Sequence, residues 1–442
     1  MQNNIFLDNL TRQFEKSQPF LPGIGQPEVR HLRNEALHHA LAIGIPHSKQ
    51  ATWKYAMLEP LFNTAYESLL RSEGSHQKLL HDYLPTINGV LLVFINGFYN
   101  HHLSQLGPFH SEITVTHLKH IANLQPELFE ELTSAACQTK QFFPQLNSAL
   151  ATDGAFVLIP DDVHVTVPIM IVNLFINHTN QSLMIHPQTH LVVGKNSRVT
   201  IIEKTIVMDD ISAWINGQTL LKCEAGASVK LYRFSSNAKN SFLFNTLQVS
   251  QQKDSTLKIV DVALGGTYQR HETHHQLFGE NCYSQHYALM LSQAGEHLDW
   301  VNILDHLAPH CESAQKIKSL VGKDGHTSFW GHIAVNQHAQ KTVARMENQN
   351  LLLSTRGRAD TTPQFAILTD DVKCTHSASV GQLDELSLFY LKSRGIKAKQ
   401  AQRILTFAFI NDIMDNLDAD IRKDFQPMIR QRVDLLSEED NL

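Results

Sequence analysis

The sequence predicts a mainly β protein, with a core of stacked β coils and helical segments before and after it. Two observations carry this. The hydrophobic period changes along the chain, from helical spacing before about residue 80 to two-residue alternation from about residue 150, and back to helical spacing after Asp384. Within the middle part, a small or polar turn followed by alternating apolar residues returns after roughly 28 to 30 positions. It runs Gly194-Lys195-Asn196-Ser197 before Val199 and Ile201, Ala225-Gly226-Ala227-Ser228 before Val229 and Leu231, and Lys253-Asp254-Ser255 before Leu257 and Ile259. Units that cannot bury their faces alone must stack on their neighbours. An antiparallel sandwich shares many of these turn signals, so periodicity alone leaves both arrangements open.

Taken in order, residues 1–85 read as a helical region. Glu28 to Ala42 and Trp53 to Leu70 carry apolar residues at helical spacing, punctuated by Pro46 and Pro60. Residues 86–150 read as a connecting region with the first strands, beginning near Gly89. Its apolar run Val90 to Ile95 is too short to span a bilayer and ends at Asn96-Gly97, as a buried strand would. Residues 151–381 form the β core, where Val163, Val165 and Val167 alternate with His164 and Thr166 in the pattern of a half-buried strand. Residues 382–442 close the chain with helices at Glu385 to Ser393, Ala398 to Asn416 and Asp418 to about Leu436. Arg394-Gly395 is a stop signal, because Gly supplies the positive φ of a helix exit.

Composition narrows the function classes. Hydrophobic residues at 42% and charged ones at 18% describe a globular chain, long enough at 442 residues for several domains or one elongated repetitive core. A net charge of −6 provides no basic field for nucleic acid. The opening Met-Gln-Asn-Asn, with Asp8 and Glu15 following, lacks the features of a signal peptide, so a cytoplasmic protein without membrane partners is expected. Cys137, Cys223, Cys282, Cys311 and Cys374 are widely scattered, as reduced thiols rather than a disulfide framework would be. No Cys-x-x-Cys is present, so a stable ferredoxin-type cluster needs ligands from a second protein.

Several chemistries lack their residues. There is neither a Gly-x-x-x-x-Gly-Lys-[Ser/Thr] phosphate loop nor a Gly-x-Ser-x-Gly nucleophile elbow. A cupin-like metal enzyme needs His-x-His on one strand face, which never occurs, and His271 with His274 has the wrong strand parity. His271-Glu272-Thr273-His274-His275, bounded by Leu264-Gly265-Gly266 and Phe278-Gly279, reads as solvated strand polarity. Asp161-Asp162, Asp209-Asp210 and Asp370-Asp371 could be offered as calcium carboxylates of a polysaccharide lyase, but read as turns or edge charges, since adjacent strand residues alternate faces.

One pair stands out. Cys374 and His376 are two residues apart, so on an extended stretch a thiol and an imidazole share a face and can share an iron, zinc or sulfur ligand. They belong to the string Thr369-Asp370-Asp371-Val372-Lys373-Cys374-Thr375-His376-Ser377-Ala378-Ser379-Val380-Gly381-Gln382-Leu383-Asp384, followed by Leu388-Phe389-Tyr390-Leu391-Lys392-Ser393-Arg394-Gly395. This string resembles the SufD side of the SufB/SufD family of the SUF iron–sulfur cluster assembly machinery. The resemblance extends in order through Gly44-Ile45-Pro46, Lys49 and Trp53-Lys54-Tyr55, Val93 to Tyr99, Asn147 with Ala149 and Asp153-Gly154, Ser328 to Ile333, Gln340-Lys341-Thr342, and Asn350 to Ser354. It spans about residues 30 to 415. SufB-type chains carry Cys-Glu-His-Glu-Ala where this one has Cys374-Thr375-His376-Ser377-Ala378. Two positions depart from the family pattern: Ser377 stands where Gly is usual, and Phe365-Ala366-Ile367 replaces Leu-Glu-Ile.

The resemblance implies a right-handed parallel β-helix, which resolves the choice of fold, and a non-catalytic scaffold subunit. It implies no stably bound cofactor in the chain alone and a transient iron–sulfur cluster shared with a SufB-like paralogue. His376 would be the cluster-building residue and a transient iron ligand, with Cys374 beside it. A SufC-like ABC ATPase would dock on the segment with Asp384, Leu388, Phe389, Tyr390, Arg394 and Phe407, whose apolar residues should also cap the open end of the coils, and a cysteine desulfurase system would take part indirectly. The isolated chain would form a homodimer. The alternatives are a β-helix interaction protein without ligand chemistry and, further off, a metal-dependent β-helix or cupin-like enzyme.

Overall fold

The structure, a computed structural model, describes residues 2–70, 83–107, 112–176, 181–208 and 211–438. The strands, in chain order, are β1 (Tyr66–Ser68), β2 (Val90–Ile95), β3 (Phe98–Tyr99), β4 (Thr114–His117), β5 (Ala155–Ile159), β6 (Ile169–Phe175), β7 (Ser182–Ile185), β8 (Gln188–Val193), β9 (Arg198–Val207), β10 (Ala213–Cys223), β11 (Ser228–Ser236), β12 (Ser241–Gln251), β13 (Thr256–Leu264), β14 (Tyr268–Leu277), β15 (Tyr283–Ser292), β16 (His297–His306), β17 (Glu312–Val321), β18 (His326–Val335), β19 (Val343–Leu352), β20 (Arg358–Ile367) and β21 (Lys373–Gly381). From β8 onward even strands stack in parallel in one sheet and odd strands in parallel in the other, so the chain winds as a parallel β-solenoid.

The recurrence in the sequence has a backbone cause. The chain turns from the even to the odd sheet at Asn196, Gly226, Asp254, Asn281, His310 and Lys341, all in the left-handed region with φ between 54° and 71°. Asn, Asp and Gly visit that region at least cost, which is why turn residues mark the corner. The next residue, Ser197, Ala227, Ser255, Cys282, Cys311 or Thr342, is small and buried, filling the narrow inside of the bend.

Along each strand, side chains alternate between inside and outside. Val90, Leu92, Val157, Leu191, Ile201, Leu231 and Ile259 meet between the sheets, and Leu298, Trp300, Phe329 and Met346 continue this interior toward the last coils. The outer faces are covered by helices. The N-terminal α1 (Gln2–Ser17), α2 (Pro27–Ile43) and α3 (Glu59–Phe62) supply Phe6, Leu10 and Leu61. Then come α4 (Leu118–Leu124), α5 (Pro126–Ala136) and α6 (Phe142–Leu150), of which α6 places Phe142 and Phe143 on Trp214, Phe242, Phe244 and Tyr268 of the even sheet. At the C-terminus lie α7 (Glu385–Ser393), α8 (Ala398–Met414) and α9 (Ala419–Glu438). Ile410, Ile413, Ile421, Phe425, Ile429 and Val433 of α8 and α9 bury the outer residues of the odd sheet, among them Val93, Val172, Ile202, Phe234, Val262 and Leu289.

Four expectations need correction. Trp53 to Leu70 is not a helix: a 3-10 turn ends at Trp53, α3 is a single turn, and Tyr66–Ser68 joins the sheet beside β7. Trp53 is claimed by tertiary packing instead, its ring lying under the Arg270 guanidinium at 3.5 Å. Val163, Val165 and Val167 alternate in a connection, with one bridge from His164 to Arg198, and half-bury themselves against the interior without a ladder. The histidine-rich stretch is extended, as β14, but buried rather than solvated. His271 and His275 face the interior, while Glu272 faces the N-terminal helices and pairs with Arg270 at 2.9 Å. Among the described residues the C-terminal helices do not cap the coil end; their apolar stripe packs along the side of the odd sheet. Asp161-Asp162 and Asp370-Asp371 do lie at turns or bends; Asp209-Asp210 falls outside the described residues. Among the described residues no helix is long and apolar enough to cross a membrane.

Candidate functional site at the last coil

The first coil is closed. β3 turns back antiparallel on β2, and β4 runs antiparallel on β5, so neither opening strand leaves a parallel edge. Asp153, buried, fastens this end by accepting from the Lys119 and Gly154 amides at 3.0 and 2.9 Å and pairing with His117 Nδ1 at 2.9 Å. The His117 ring in turn stacks on Tyr99 at 4.5 Å.

The last coil is open. Among the described residues β20 pairs only with β18, and β21 only with β19, so each terminates its sheet. On β21, Cys374 stacks on Ala344 and His376 on Met346, both buried in the interior cluster. Cys374 and His376 therefore occupy inward positions on a coil with nothing stacked beyond it, and the same-face expectation from their spacing is met. The His376 ring is exposed and lies on Phe365 of β20, centroids 4.7 Å apart and planes 26° apart. Among the described residues nothing hydrogen-bonds its ring nitrogens. Cys374 is half-buried beside Phe365, and burial raises its thiol above the usual range. Among the described residues no three His, Cys, Asp or Glu side chains converge as a metal set, so this pair offers an incomplete set of soft donors.

Register links His376 to the interior. The inward column reads His286, Gln315, Met346, His376 from coil to coil. At its inner end His286 Nε2 pairs with Asp261 at 2.7 Å, and one coil earlier Arg233 bonds Glu203 at 3.0 Å. Burial pushes the Asp261 carboxyl up, but the Arg233 charge and the His286 bond outweigh it and leave it lowered. Sequence reading missed this polar line and Phe365. The signal for the line is a charged residue at a strand position whose neighbours two away are apolar, such as Asp261 between Ile259 and Ala263.

The departures from the family pattern both sit in regular strand. Ser377 lies in strand backbone without positive φ, so no glycine is required. Ala366 stands opposite Ala334.

The C-terminal candidates divide. Asp384 caps α7, accepting from the Ser387 amide at 2.8 Å. Phe389 and Tyr390 are 69% and 57% exposed, with Leu386 at 77%, and the Arg394 guanidinium lies 5.2 Å from the Tyr390 ring. Leu388 is half-buried, and Phe407 packs inward against the cluster under α8 and α9. The most exposed apolar side chains of these helices thus belong to α7, with Ile404 of α8 at 42%.

The sequence matches two family descriptions: SUF system FeS cluster assembly, SufBD core domain, over residues 175–409, and SufBD protein N-terminal region, over residues 7–171. It is 29% identical over 405 residues to the iron–sulfur cluster assembly protein SufD of Escherichia coli, covering 90% of this chain and 91% of that one. An iron–sulfur cluster assembly SufBD family protein of Synechocystis sp. is 28% identical, covering 91% and 90% of the two chains. The SufB of Bacillus subtilis is 21% identical, covering 73% and 72%.

Proposed function

The chain belongs to the SufBD family of SUF iron–sulfur cluster assembly proteins, on its SufD side, and from that premise we propose that it is a scaffold subunit whose open last coil pairs with a SufB-type paralogue, a nascent cluster being built between them on His376. The observation that carries this is the uncapped coil itself. Two strand edges, the half-buried Phe365 and Cys374 and the exposed His376 lie together, and a β edge left bare invites pairing with another chain. Iron and sulfur are the cargo. A neutral imidazole binds ferrous iron through one nitrogen and releases it more readily than a set of thiolates would, which suits a site that must pass its cluster on. Cys374, with its thiol held up by burial, is protonated at neutral pH and serves as a secondary ligand.

The exposed apolar side of α7 supports docking of a SufC-type ATPase, because Leu386, Phe389 and Tyr390 all present most of their surface to solvent. Closure of two such ATPases would then move α7 and, through α8 and α9 on the odd sheet, the shared seam. Sulfur would arrive from a cysteine desulfurase system through the paralogue. Alone, the chain would pair its open coil with a second copy. Localisation in the cytoplasm belongs to the same proposal.

The test is His376→Ala in a strain lacking the wild-type copy. The assembled complex should retain its subunits and lose cluster build-up, whereas Cys374→Ser should do less. Normal activity of cluster-dependent enzymes with the His376→Ala chain would refute the assignment.

A further inference from the structure

We infer that Cys282 and Cys311 form a reversible thiol–disulfide site, which hydrogen peroxide closes into a covalent link between two consecutive coils of the β-solenoid. Each occupies the first buried position after a left-handed corner residue, Asn281 (φ 58°) and His310 (φ 60°). The strands that follow start in register, Tyr283 opposite Glu312, so the two cysteines stack directly on one another. Neighbouring strands lie about 4.8 Å apart, inside the Cα separation of about 4.4–6.8 Å that a disulfide spans; the Cβ atoms must close by about an ångström. Both sulfurs lie on the same side of the bend, 3.1 and 3.2 Å from the Gly279 carbonyl oxygen.

Reach and reactivity agree with the geometry. Asn281, Tyr283, His310 and Glu312 are exposed on either side, so a single layer of chain separates the sulfurs from water. The Cys311 thiol donates to Cys282, drawing the Cys282 thiol down to about 7 and holding its own up. Cys282 is therefore the nucleophile and Cys311 the resolving thiol. Cys282 thiolate attacks one peroxide oxygen, the O–O bond breaks, hydroxide leaves, and a sulfenic acid remains on Cys282. Cys311 sulfur then attacks that sulfur, the S–O bond breaks, and the Cys311 proton leaves with the hydroxyl as water. Two thiols are oxidised and one peroxide is reduced. Dithiol reductants reverse the link by exchange. The competing cysteines are placed differently: Cys223 is buried at the end of β10 with its thiol raised by burial, and Cys137 and Cys374 lie at α5 and the last coil.

The test treats the full chain with stoichiometric hydrogen peroxide, then titrates thiols after unfolding. Thiols should fall from five to three and return to five with dithiothreitol. Digestion needs a glutamyl endopeptidase beside trypsin, because no Lys or Arg separates the two cysteines, and should yield a peptide pair joined at Cys282 and Cys311. In Cys311→Ser, dimedone should label Cys282; in Cys282→Ser, Cys311 should stay unlabelled. Five thiols surviving the oxidant, a link from Cys282 to Cys223, or a link between two chains would overturn the assignment. The wild-type titration decides alone should either variant fail to fold.

Discussion

The two ends of the β-solenoid are finished in opposite ways. At the first coil, β3 and β4 run against their neighbours, and Asp153, His117 and Tyr99 lock the chain across the opening. At the last coil, β20 and β21 simply stop, leaving an aromatic ring, a thiol and an imidazole where the next coil would stack. A repeat array needs a polar cap wherever it meets solvent. One end has such a cap; the other is left open. The difference teaches that the fold finishes itself at one end and leaves its candidate site at the other, so changes at the two ends should have different consequences.

The largest expected contrast is between two phenylalanines. Phe94, 1% exposed and edge-on to Tyr99, fills the closed end, and Phe94→Ala should cost about 3–5 kcal/mol in denaturant unfolding of the isolated chain. Phe365→Ala at the open coil, where the ring is half-exposed, should cost about 1 kcal/mol. Equal losses would erase the distinction. Acid provides a second contrast, between the helical flank and the open coil. Burial raises the Glu272 carboxyl, but the Arg270 charge and a His274 bond outweigh it and hold it at about 2. A carboxyl depressed in the folded state contributes stability that is complete above its unfolded value of about 4.5 and is lost as pH falls toward 2. Hydrogen exchange at Ala51–Trp53, held through Arg270, should therefore accelerate across that window, with β21 unchanged after correction for intrinsic rates.

How much of this was legible beforehand follows from the same contrast. The coil repeat showed because each corner demands a left-handed residue and then a small one, a constraint written locally at Asn196-Ser197 and Asp254-Ser255. Strand parity was enough to put Cys374 and His376 on one face, while their selection rested on the resemblance of the surrounding string. Trp53 to Leu70 misled, since its helical spacing is overridden by contacts far away in sequence, with Arg270 for Trp53 and β7 for Tyr66. His271 and Glu272 misled for a related reason: both sides of β14 are covered, one by the interior and one by the N-terminal helices, so polar residues there signal buried pairing rather than solvent. Nothing local says which end of a solenoid is capped, because that depends on which strands run backwards.

Smaller effects sharpen the comparison. Ile367→Lys and Val380→Lys alter residues 40% and 45% exposed on the last coil. Each should leave unfolding of the isolated chain within about 0.5 kcal/mol and weaken pairing with a SufB-type partner at least about ten-fold, measured by titration calorimetry. Ser377→Gly, at a position without positive φ, should cost no more than about 0.5–1 kcal/mol, the ordinary cost of glycine in a strand, and should not improve cluster assembly.

The central claim, that the open coil is the pairing surface, is tested most directly by hydrogen–deuterium exchange of the chain with and without a SufB-type partner. Backbone amides of Arg358–Ile367 and Lys373–Gly381 should slow strongly on mixing, while Val90–Ile95 and Ala155–Ile159 at the closed end stay as they were. Protection that appears at the closed end or on the helical flanks, with β20 and β21 still exchanging as in the free chain, would contradict it.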